Sequence, residues 1–211
     1  MSPLPPSRTL EARGLAVSRG VTRLFRDISF RVDAGEWIAL RGPNGSGKTT
    51  LLRCIAGLTR PDEGDIRWAG DPVKSDLGRF HSDLLYAGHL PGIKDDLTAE
   101  ENLDGLLRLR GQVASIEAIR AALAEVGLEK RRHLPARRLS AGQRRRIGLA
   151  RLLLDPATCW ALDEPLTALD DEGQALFSRA LKAHIDCGGL AVLATHHDLA
   201  PPPARELRIG A

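Results

Sequence analysis

Eight consecutive residues, Gly42-Pro43-Asn44-Gly45-Ser46-Gly47-Lys48-Thr49, fit the pattern GxxxxGK[ST]. They lie between a mostly apolar run at 36–40 and a helix-like segment at 49–58, the strand–loop–helix setting that the pattern requires. The glycines let the backbone turn its amides inward, and the helix start adds partial positive charge, so the loop suits phosphate groups. Lys48 can reach the outer phosphates of a nucleoside triphosphate, the Thr49 hydroxyl can coordinate Mg²⁺, and Thr50 extends the site. A second apolar run at 158–162 delivers two neighbouring carboxylates, Asp163 and Glu164. Beside a phosphate loop, Asp163 is placed to hold the Mg²⁺ shell and Glu164 to polarise a water for in-line attack on the γ-phosphate.

The elements that must carry these groups are legible around them. Residues 9–12, 15–17 and 27–32 are short β-like runs, the last alternating as an antiparallel strand with one wet face does. Residues 65–68 form a further short strand. From about 89 to 155 strand signals vanish, and 100–110, 116–126 and 141–154 carry apolar residues at helical spacing. The α/β pattern resumes with strands at 159–162 and 190–194 and a helix at 172–184. Apolar strands flanked by helices predict a largely parallel sheet. The expected organisation is one domain over 1–211, with an α/β core (1–88 and 156–211) and an inserted helical lobe (89–155). With the Pro201-Pro202-Pro203 tail following the last core strand, no extra regulatory domain is expected.

Composition narrows the classes. Among 211 residues, 43% are hydrophobic and 27% charged, which excludes disordered and collagen-like chains. Aromatics at 4% give little for a stacking platform on single-stranded nucleic acid, and a net charge of +3 is too small to argue for one. Cys54, Cys159 and Cys187 are far apart, as reduced thiols are, without disulfide or zinc spacing. The N-terminus lacks the apolar stretch of a secretory signal, and no apolar run approaches the roughly 18 residues of a membrane span. A cytosolic chain that meets a membrane only through a partner is expected.

A third motif points to a family. Leu139-Ser140-Ala141-Gly142-Gln143 resembles the signature of ATP-binding-cassette (ABC) ATPases. From the residues alone, Ser140 is a good N-cap, and Ala141 with Gly142 keeps the first turn free of bulk. The resemblance implies a P-loop cassette fold, with a mixed sheet core, an N-terminal antiparallel β part and an inserted helical lobe. It implies a homodimer paired head-to-tail, in which each signature covers the γ-phosphate of ATP held by the other copy's loop. It assigns Asp170 to the D-loop at the dimer seam and His196 to sensing the γ-phosphate, with Glu164, His196 and Lys48 as the catalytic set. Arg144, Arg145 and Arg146 read mostly as a solvated helix face.

Two positions depart from the family pattern. Where a glutamine usually contacts Mg²⁺ and the attacking water, this chain has His89, whose neutral imidazole can still make one hydrogen bond. Where an aromatic residue usually stacks on adenine, Arg19 precedes Gly20; a guanidinium plane can stack on the base with weaker selectivity.

The stretch 86–103, with Gly88-His89-Leu90-Pro91-Gly92-Ile93-Lys94 at its start, is similar to the haem-exporter ATP-binding subunits of bacterial cytochrome c maturation. That resemblance implies ATP hydrolysis coupled to integral-membrane permease partners, a peripheral position on the cytoplasmic face of the inner membrane, and no nucleic acid partner. Direct haem ligation by His89 is not expected. The alternatives are an ABC subunit serving another cargo, or a soluble ABC ATPase without transport. A P-loop kinase or GTPase switch would leave Ser140 and His196 without a task.

Overall fold

A computed structural model describes residues 8–89 and 92–210. They divide into two compact units. One comprises the segments up to Gly88, Ala157–Pro165 and from Lys182 onward; the other comprises His89–Pro156 and Leu166–Leu181.

The first unit holds two sheets. In the antiparallel one, β1 (Thr9–Arg19) pairs with β2 (Thr22–Asp33) and with β4 (Glu63–Trp68), and β4 with the short β5 (Asp71–Pro72). The runs at 9–12 and 15–17 are thus one strand; the register shifts between Ala12 and Leu15, and this bulge hides its continuity from a period-2 reading. The five-stranded sheet has the order β6 (Leu84–Ala87), β7 (Cys159–Asp163), β8 (Leu190–Ala194), β3 (Trp37–Arg41), β9 (Arg205–Arg208), every pair parallel. β7 and β8 are buried at every residue, which explains their unbroken apolar runs. β9 was not legible: its Arg-Glu-Leu-Arg sequence is that of an exposed edge strand.

Helix α1 (Lys48–Ile55) follows β3, and its Leu51, Leu52 and Ile55 join Leu10, Leu15, Phe25 and Phe30 of the antiparallel sheet and Ile38 and Leu40 of β3 in one core. That core holds the start of α1 at the C-terminal ends of the parallel strands, where ligands bind in such sheets. A short α2 (Leu77–Asp83) leads into β6, and Trp68 Nε1 donates to Asp83 Oδ2 at 2.8 Å.

The second unit is built on α3 (Ala99–Arg108), α4 (Ile116–Glu125) and α5 (Ala141–Leu154). Ser140 caps α5 as expected, in a reciprocal capping box with Gln143; Thr98 forms the same box with Glu101 ahead of α3, and Ser115 caps α4. Leu103, Leu107, Leu123, Ile147 and Ala150 are buried. Helix α6 (Asp171–Asp186) contributes residues 171–181 to this unit and 182–186 to the first. Asn102 is buried and ties the preceding loop: Oδ1 accepts from Lys94 N at 2.7 Å, and Nδ2 faces the carbonyls of Lys94, Leu97 and Thr98.

Candidate functional site

The glycine loop leaves β3 at Arg41 and enters α1 at Lys48. Gly42 has φ +145°, and a Cβ there would lie 2.3 Å from the Ile209 carbonyl oxygen; only glycine permits that approach. Gly47, the left-handed residue before α1, supplies no side-chain cap, so the amides of the first turn are left facing the loop. Lys48 is buried, and its Nζ donates to the carbonyls of Gly42 at 2.6 Å and Pro43 at 3.1 Å, bending the ammonium back over the loop. Ser46 Oγ is buried with no hydrogen-bond partner among the described residues. Clustered amides, a buried ammonium and an orphaned hydroxyl suit phosphate oxygens.

Asp163, at the end of β7, is buried and accepts from the Thr49 hydroxyl at 2.7 Å. Both sequence-predicted Mg²⁺ ligands therefore meet. No group of three or more His, Cys, Asp or Glu residues that could hold a metal occurs among the described residues. Two hard oxygens are nevertheless enough for Mg²⁺, which is commonly held by one or two protein groups with substrate phosphates and water. Glu164 follows with φ +50°, a strained conformation for a residue with a side chain, and its amide donates to Ala194 O at 2.8 Å. Glu164 Oε1 lies 3.4 Å from His196 Nε2, and the His196 side chain is half exposed. Tyr86 on β6 was not singled out from the sequence. Burial, and secondarily the Asp163 carboxylate, push its hydroxyl pKa up. Arg19 is exposed at the tip of the β1–β2 hairpin beside the fully exposed Val21.

The remaining predicted residues belong to the helical unit. Leu139 is buried; Ser140 is exposed, its Oγ accepting from Gln143 N at 3.2 Å while Gln143 Oε1 accepts from Ser140 N at 3.1 Å. A Cβ on Gly142 would lie 2.8 Å from the Ala168 carbonyl oxygen, so the first turn of α5 packs on the segment before Asp170 only as glycine. The His89 side chain is exposed, and its carbonyl accepts from Arg145 Nη1 at 2.8 Å. Leu90 and Pro91 lie outside the described residues.

One of the three arginines is the exception to the solvated face. Arg146 is buried rather than solvated: Nη1 donates to Val126 O at 3.0 Å, while Nη2 meets Asp170 at 2.7 and 2.9 Å and Glu172 at 2.8 Å. Three successive arginines give no sign of which one turns inward; helix phase against α4 and α6 decides it.

Fold and site together define an ATP-binding-cassette ATPase. The chain belongs to the ABC transporter family, whose model matches residues 25–167, and within it to the cytochrome c biogenesis ATP-binding export proteins. It is 48% identical over 190 residues to the cytochrome c biogenesis ATP-binding export protein CcmA 1 of Salmonella paratyphi A, covering 90% of each chain. It is 44% identical over 202 residues to CcmA of Pseudomonas aeruginosa, covering 96% of this chain and 100% of that one. Among solved structures, a dimeric ATP-binding cassette in a post-hydrolysis state with ADP and Pi superposes with a TM-score of 0.80 at 23% identity, covering 95% of this chain and 94% of that one. At that identity it speaks for the fold, which is the one expected.

Proposed function

We propose that this chain is the ATP-hydrolysing subunit of an inner-membrane complex, coupling ATP turnover to haem export or to release of a haem-loaded chaperone in c-type cytochrome biogenesis. The supporting observation is the convergence of buried Lys48, the Thr49–Asp163 bond and the Glu164–His196 pair in a chain so similar to export ATPases of that pathway.

In this reading the backbone from Gly42 to Gly47, with Thr50, wraps the phosphates. Lys48 exchanges its loop carbonyls for β- and γ-phosphate oxygens, and Ser46 Oγ gains an acceptor. Thr49 and Asp163 hold Mg²⁺, which when bound neutralises phosphate charge. Glu164 takes the proton of the attacking water, and His196 donates to the γ-phosphate. Arg19 lies against the adenine, and His89 takes the role that the family gives its glutamine in coupling. Capped Ser140, with Leu139, Ala141, Gly142 and Gln143, contacts the γ-phosphate bound by a second copy, and Asp170 lies at the seam. The dimeric state of the solved cassette supports this pairing.

No helix among the described residues is long and apolar enough to cross a membrane. A peripheral position on the cytoplasmic face, held by integral-membrane permease partners, accords with that. The test is affinity purification of the full chain from membranes of a cell making c-type cytochromes. Co-purified integral-membrane proteins with a haem absorption band are expected. Partners free of haem, or undiminished cytochrome c when Glu164→Gln replaces the wild type, would remove the cargo assignment.

A further inference from the structure

The geometry points to Arg41 as a positioning residue for hydrolysis, one that fixes the backbone on both sides of His196 to the start of the glycine loop. Arg41 is the last residue of β3, directly before Gly42, and its side chain is only 15% exposed. Its Nη1 donates to the Thr195 carbonyl at 2.9 Å and the His197 carbonyl at 3.0 Å. Nη2 meets Asp198 Oδ1 at 2.8 Å, and Nε meets Glu206 Oε1 of β9 at 3.1 Å.

These contacts are unequal. The Asp198 side chain is fully exposed and that of Glu206 nearly half exposed, so both ion pairs are screened and contribute little. Thr195 is wholly buried, and a buried carbonyl that loses a charged donor is left without compensation. His197 N also donates to Thr195 Oγ1 at 3.1 Å, closing the turn around His196. The half-exposed His196 ring has little packing of its own to set its direction. Its aim toward Glu164 therefore depends on anchored flanking peptides. A planar guanidinium can serve two carbonyls and two carboxylates at once; a lysine ammonium has neither the donors nor the fork.

The inference rests on the reading of His196 as the γ-phosphate contact. It is tested by ATP binding and steady-state hydrolysis of the full chain. Arg41→Ala is expected to lower kcat about 10²-fold, the scale of a misplaced catalytic contact, with ATP affinity unchanged. Arg41→Lys should recover only part of the loss, and Asp198→Ala and Glu206→Ala should behave as wild type. In a His196→Ala background, Arg41→Ala should add no further loss. Arg41→Gln supports the same comparison if the alanine variant does not fold. Losses that add, or a loss of ATP affinity with kcat retained, overturn the inference while leaving the His196 reading intact. Full turnover by His196→Ala alone overturns both.

Discussion

Thr49 and Asp163 are 114 positions apart in the chain, yet the threonine hydroxyl donates to the aspartate carboxylate across 2.7 Å. This bond fastens the first turn of α1 to the end of β7 and places two hard oxygen donors beside the phosphate loop. Thr49→Val leaves the buried Asp163 without that donor and should destabilise the fold by about 1–3 kcal/mol. Hydrolysis should fall and need a higher Mg²⁺ concentration for half-maximal rate, while ATP binding in the presence of a chelator persists. A Mg²⁺ titration of the variant that matches wild type would dissociate this pair from the metal.

Glu164→Gln keeps the side chain's size and removes its basicity. ATP should bind with wild-type affinity, and hydrolysis should fall by about 10²–10⁴-fold, the usual contribution of a general base. Size-exclusion chromatography with ATP should then show an accumulated dimer. Near-normal turnover would exclude Glu164 as the base.

The proposed sharing of each site between two copies is tested by complementation. Lys48→Ala disables one copy's loop, and Gly142→Ala drives a Cβ to within 2.8 Å of the Ala168 carbonyl oxygen, displacing the signature turn. Each variant alone should be inactive. Mixed, they form heterodimers in which one composite site is intact, and activity should return. Mixtures that stay inactive although heterodimers form would mean that each copy hydrolyses without the other's signature.

Arg146 joins α5 to Val126, Asp170 and Glu172 within the helical unit. Arg146→Ala should lower stability by about 1–3 kcal/mol, read from a urea midpoint, with Arg146→Lys intermediate. The guanidinium hydrogen bond, followed by the Gly173 amide, holds the Asp170 carboxyl below the usual carboxylate range. A depressed carboxylate stabilises above its unfolded pKa, and that contribution is lost as pH falls through the folded value. The fall in stability on acidification should therefore be shallower in a chain lacking Arg146, which has already lost that contribution at neutral pH. Identical acid limbs would show that the pair has no part in it.

Trp160 and His184 stack at 3.9 Å with an interplanar angle of 11°, and His184 Nε2 bonds the Leu190 carbonyl at 3.1 Å. Burial lowers the imidazole pKa, against a smaller opposing effect of that hydrogen bond. Below about pH 6.5 the unfolded chain takes up a proton that the folded chain resists, so stability falls with acidification, by no more than about 1.4 kcal/mol per pH unit. His184→Phe keeps the stack and cannot titrate; its melting temperature should change less between about pH 5 and pH 6.5. An unaltered slope would place the sensitivity elsewhere.

The chemistry was largely written in local order. The glycine loop, the acidic pair after an apolar run and the serine-capped turn each depend on short-range backbone geometry, so adjacent residues reveal them. The serine cap of α5 and the unbroken apolar strands β7 and β8 followed for the same reason. Tertiary structure alone decided which charges would be buried. Arg41 and Arg146 look like surface residues in a chain with 30 Lys and Arg; they turn inward because carbonyls and carboxylates from distant segments surround them. The charged β9 and the bulged β1 were likewise settled by pairing partners far along the chain. Hydrophobic periodicity reports only which face of one element is dry, whereas a buried cation is defined by what several elements bring to it.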